Sequence, residues 1–197
     1  ALGYVASLIN KLPQKFSQEA EDILSSVIPT VDKIHSTRAM AFILKGLYYQ
    51  NKKENLYLIR ILADRMIQMY RHERSNDWCW FENYLTYGNS LLSEAILCAY
   101  IRTNNPVYKE VARESFDFLL SKIFVNGKIK VVSNMGWHLK DNPPEKTDGG
   151  EQPIDVAYTV MALELFYNTF KVEEYKHKAS VAFSWFLGEN HLKQIVY

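Results

Sequence analysis

The chain has 197 residues, with 23 Lys plus Arg against 22 Asp plus Glu and a net charge of +1. That length makes one compact domain, residues 1–197, with a sizeable core. Near-neutrality excludes an electrostatic nucleic-acid binder, which needs a concentrated basic surface. Hydrophobic residues at 48% and charged ones at 23% exclude wholesale disorder. Only eight Gly and six Pro occur, against an average usage of about 12%, which favours long helices over many short strands.

The apolar stretch 1–9 lacks the basic region and cleavage site of a signal peptide and predicts a helix. Ala20, Ile23, Leu24 and Val27 fall at helical spacing over 17–27, with Pro29 as a stop. A capping-type Ser36 opens 36–50, which buries Met40, Ile43, Leu44 and Leu47. The next apolar face, from Ile59 to Met69, predicts a helix over 55–72. Further helices are predicted over 89–101, 106–123, 153–170 and 173–187, with Pro106 at a tolerated first-turn position and Gly188 as a C-cap. Taken in twos, they make hairpins, because short links imply antiparallel neighbours. Lys128 to Val132 predicts a short strand, so a small β-hairpin is expected near 125–133. The pattern is all-α, and it fits both a toroid of helical hairpins with its loops gathered around a pocket and a plain orthogonal bundle.

No stretch approaches the ~18 apolar residues of a membrane span. Cys79 and Cys98 are too few for a disulfide framework and lack nearby partners at metal spacing, so they read as buried thiols of a cytoplasmic protein. His35, His72, His177 and His191 share no metal spacing, and neither HExxH nor a Gly-rich phosphate loop occurs. No metal and no cofactor is expected.

The long connections 73–88 and 124–152 are aromatic and polar, and loops of that length in a compact domain are usually functional. In the first, Trp78, Trp80, Tyr84 and Tyr87 fall within ten residues and offer faces for stacking on sugar rings. Glu82 among them would sit in a partly apolar setting that makes a carboxyl a plausible acid, and Asn89 can cap the following helix. These residues also fit a structural role in which the aromatics plug a hairpin junction. The second loop carries Trp137 and His138, then Glu151, Gln152 and Asp155. Asp155 falls in a first helical turn, where an acid also simply favours the positive helix end. Glu82 with Asp155 or Glu151 across a pocket would make the paired carboxylates of glycoside hydrolysis. As a lone loop histidine, His138 equally fits an ordinary surface position.

The strings DWCWFENYLTYGNSLLSEAIL, NMGW, GGEQPIDVAYTVMAL and AFSWFLGENHL, in that order, resemble a group of bacterial (α/α) toroid domains that accompany glycosyltransferases of polysaccharide gene clusters. That group is similar in fold to six-hairpin glycosidases and to N-acylglucosamine 2-epimerases. The resemblance covers residues 36–191 and implies a carbohydrate-active domain acting on a glycan at the loop end. Glu82 and Asp155 would then be the acid/base pair, and Trp78, Trp80, Tyr87, Asn89, Trp137, His138, Glu151 and Gln152 the sugar contacts. The alternative it implies is a non-catalytic sugar-binding or scaffolding domain that docks a partner glycosyltransferase. An epimerase would want facing histidines, and only His138 is well placed. The group commonly has Gln at position 151 and Asp at position 88, where this chain has Glu151 and Gly88. A closed ring of six hairpins needs more than the seven or eight helices read here, so an incomplete toroid, truncated at its C-terminus and prone to self-association, is expected.

Overall fold

A computed structural model describes residues 2–8, 11–141 and 149–190. Ala1, Ile9 and His191, together with the 142–148 part of the second loop, lie outside the described residues. The described chain is mostly helical: α1 (Leu2–Ser7), α2 (Gln14–Val27), α3 (Thr37–Gln50), α4 (Leu56–Glu73), α5 (Asn89–Thr103), α6 (Pro106–Ile123), α7 (Pro153–Phe170) and α8 (Glu173–Ser184). Pro29 does not end the second segment outright, since a 3-10 stretch runs on from Ile28 to Lys33. The last segment likewise tightens into 3-10 turns over Trp185–Leu187 before Gly188, whose φ of 88° closes it.

The helices form a two-layered array of antiparallel hairpins. In one layer α1 packs on α3, α3 on α5 and α5 on α7; α6 and α8 return behind α5 and α7, and α4 packs against α3, α5 and α6. Every residue from Asn89 to Ala99 is buried because α5 is covered on all sides. Its polar residues are therefore paired. Lys45 of α3 donates to Glu94 at 2.8 Å, Ser93 meets Ser115 at 2.8 Å, and Ser90 meets Thr159 at 2.7 Å.

Four short strands dress the loops. β2 (Phe124–Val125) and β3 (Lys128–Ile129) make the expected hairpin, turned by Asn126 and Gly127 at positive φ. β1 (Tyr84–Leu85) pairs antiparallel with β4 (His138–Leu139), which sequence periodicity does not signal. This second pairing lays one long loop beside the other.

Candidate functional site

The starts of α3, α5 and α7 converge, and a single guanidinium ties two of them together. Arg38, in the first turn of α3, grips both oxygens of Glu82 from Nη1, at 3.0 and 2.8 Å. Its Nε donates to the Tyr87 carbonyl at 2.8 Å and its Nη2 to the Thr86 hydroxyl at 2.6 Å. The same guanidinium lies 4.9 Å from the Tyr87 ring centre. Asn89 closes the turn before α5 by accepting from the Thr86 amide at 3.1 Å and donating to the Thr86 carbonyl at 2.9 Å. Gly88, not Asn89, occupies the cap position, with φ of 60°. The Gly88 amide in turn donates to Asp155 Oδ1 in the first turn of α7.

Above this network lies a cleft of two adjoining compartments. The outer one, about 340 Å³, is lined by residues 35–38 together with Glu82, Tyr84, Thr86, Tyr87 and Trp137. The inner one, about 160 Å³, shares Thr86, Tyr87 and Trp137 and adds Val132, Ser133, Asn134, Gln152 and Asp155. Tyr87 and Trp137 are about half exposed, and the Trp137 ring centre lies 5.8 Å from that of Tyr84. The loop that carries Trp137 is anchored: the Asn134 amide donates to the Gly150 carbonyl at 3.1 Å, and the Ser133 hydroxyl accepts from the Met135 amide at 3.0 Å.

The structure thus gathers Glu82, Tyr87, Trp137, Gln152 and Asp155 around one cleft, whereas Asn89, expected as a sugar contact, is buried beneath it with its amide spent on Thr86. It assigns the other four expected residues elsewhere. Trp78 and Trp80 are core residues, 3% and 0% exposed, and not a stacking platform. Trp78 packs on Phe118 and donates from its indole to the Glu82 carbonyl at 2.7 Å, while Trp80 packs against Phe81. Their rings are worth more buried than wet, so they plug the junction under the loop. His138 is half-buried with its ring 5.7 Å from Trp78, and burial, then the charge of Lys122, lowers its pKa. Glu151 lies beside Lys130, Val131 and Trp185. Burial pushes its pKa up to about 7, against the opposing pull of Lys130, the Trp185 side chain and the Val131 backbone.

The carboxylates are not arranged as the acid/base reading requires. Glu82 is not in an apolar setting: both of its oxygens accept charge-assisted bonds from Arg38. Asp155 is 7% exposed, and burial raises its pKa against the Gly88 amide and the Arg38 charge. Its Oδ2 has no hydrogen-bond partner among the described residues and is sealed from solvent. Behind it lies a void of about 10 Å³, roughly the space of one water. The two acids therefore fasten helix starts together.

Sequence reasoning missed Arg38. The available signal was a cation in the first turn of α3, the end where a helix dipole disfavours positive charge unless a carboxylate compensates. A further recess, about 350 Å³ between α6 and α8, has both its acids engaged: Asp117 by Tyr175 at 2.7 Å and Glu174 by Lys178 at 2.6 Å. No group of three or more acidic, His or Cys side chains could hold a metal ion among the described residues. No described helix is long and apolar enough to cross a membrane. No protein-family model, curated protein or solved structure matches this chain.

Proposed function

We propose that this chain is a carbohydrate-binding domain that holds a glycan in the cleft at the starts of α3, α5 and α7, without itself breaking a bond. The observation that carries this reading is the exposed set of Tyr87 and Trp137 rings, with Tyr84 beside them, over a polar floor in which Arg38 and Glu82 are already paired. Aromatic faces suit the C–H faces of sugars. Exposed amides and hydroxyls at Gln152, Asn134 and Ser36 suit sugar hydroxyls, which both donate and accept. In this reading the array is part of an (α/α) toroid, the domain works in the cytoplasm, and its partner is a glycosyltransferase to which it presents an acceptor. Exposed apolar side chains on α2 and α7 favour self-association of the isolated chain.

A glycan array probed with the purified chain and with Trp137→Ala tests the reading. Selective binding that Trp137→Ala loses, with its helical circular dichroism intact, is the expected result. Binding indifferent to Trp137, or none at all, overturns it.

One observation favours a catalytic second reading. Asp155 is a buried carboxyl at the edge of the inner compartment whose pKa burial raises, the direction a general acid needs. Turnover of a bound glycan that Asp155→Asn abolishes, while binding survives, would establish it.

A further inference from the structure

We propose that the cleft takes an uncharged oligosaccharide of at least two sugar units, laid across both compartments with Tyr87 and Trp137 at the crossing. This rests on the carbohydrate-binding reading and narrows it by size and charge. The inner compartment, about 160 Å³, falls below the ~300 Å³ at which pockets for drug-sized ligands begin. It has room for a single ring. The outer compartment, about 340 Å³, is roomier, and the two share Thr86, Tyr87 and Trp137 as common walls. A chain that enters both must pass those two exposed rings, where stacking is available.

Charge decides the class of sugar. Among the described residues lining either compartment, Arg38 is the one Arg or Lys. Its five donors are spent on both Glu82 oxygens, the Tyr87 carbonyl, the Thr86 hydroxyl and Asn89 Oδ1. A uronate, sulfate or phosphate entering the cleft finds no Arg or Lys free to receive it among the described residues. In the inner compartment it meets Asp155 instead. The other polar groups at the two ends are the neutral donor–acceptors Gln152 and Asn134 at one, and Ser36 and Tyr84 beside the His35 imidazole at the other.

The test is an array carrying neutral, N-acetylated and uronic-acid glycans from monosaccharides to hexasaccharides, probed at low and high salt. The full chain is compared with Tyr84→Ala, at a residue that lines the outer compartment and not the inner, and Gln152→Ala, at one that lines the inner and not the outer. Tyr84→Phe keeps the ring and controls for folding. The expected signal falls on neutral chains of two or more units and survives high salt, because no exposed ion pair carries it. It drops about tenfold in each alanine variant, the loss that about 1.4 kcal/mol of contact produces. Equal binding of monosaccharides, or a preference for uronates, overturns this inference and leaves the carbohydrate-binding reading standing. A folded chain that binds no glycan overturns both.

Discussion

Arg38 shows how one side chain sets the geometry of a site it does not itself offer to ligand. With the Arg38 and Glu82 side chains 12% and 10% exposed, removing the cation strands a nearly buried carboxylate. Arg38→Ala is therefore expected to lower stability by about 3 kcal/mol, the lower end for breaking a buried pair from one side, as read by urea unfolding. It should also weaken glycan binding, since the Tyr87 carbonyl and ring both rest on the guanidinium. Arg38→Lys should not rescue it, because one ammonium cannot hold Glu82, Thr86, Tyr87 and Asn89 at once. Glu151 supplies a pH signature. Its folded pKa near 7 stands above the ordinary 4.5, so its contribution to stability is full below about 4.5 and is lost as pH rises through about 7. His138, lowered from 6.5, acts in the opposite sense, losing stability as pH falls below its ordinary value. The decisive comparison is with Glu151→Gln: urea midpoints from pH 5 to 8 should fall for the parent relative to this variant. Parallel curves would refute it.

Among the elements, the three helices that meet at the site share a C-terminal device. α3, α5 and α7 end on Asn51, Asn104 and Lys171, at φ of 58°, 55° and 56°, and each backbone amide bonds the carbonyl four residues back, at 3.1, 2.7 and 2.8 Å. Asparagine tolerates the left-handed conformation and lysine does so at a cost. Lys171→Gly should raise stability by about 0.5–1 kcal/mol, with glycine's larger unfolded-state entropy taking back part of the gain. Thermal unfolding measures it, and a lower melting temperature would show that the Lys171 contact with the Tyr167 ring outweighs backbone strain. These turns matter to the site because each sets where the helix that follows returns, and so where the next long loop begins.

For the whole molecule, the two classes of aromatic separate experimentally. Trp80→Ala empties a fully buried site and should cost about 3–5 kcal/mol of stability, so it reports on folding. Trp137→Ala should leave the denaturation midpoint nearly unchanged and act on binding alone. A stable Trp80→Ala protein would argue that the junction packs loosely. Phe16, Ile23 and Val27 form one exposed stripe on α2, and Phe42 meets Tyr158 beside exposed Ile154 and Met161 across α3 and α7. Light scattering should accordingly find mass rising with concentration; a strict monomer at all concentrations would refute self-association.

Local information carried much of this protein. Apolar spacing predicts α5, α6 and α7 to within two residues, because helix periodicity and the Pro106 and Pro153 starts are properties of neighbouring residues. The hairpin at Asn126 and Gly127 follows from turn chemistry in the same way. The two long loops stood out through their length and aromatic content, and the structure brings them together at the cleft. Which aromatics face a ligand was not legible, because Trp78, Trp80 and Trp137 look alike in sequence. Their fates depend on whether Phe118 and Phe81 or open space lies opposite. The roles of Glu82 and Asp155 were decided the same way. Their partners Arg38 and Gly88 stand 44 and 67 residues away, and only the packing of α3 and α7 against α5 brings those charges and amides within reach.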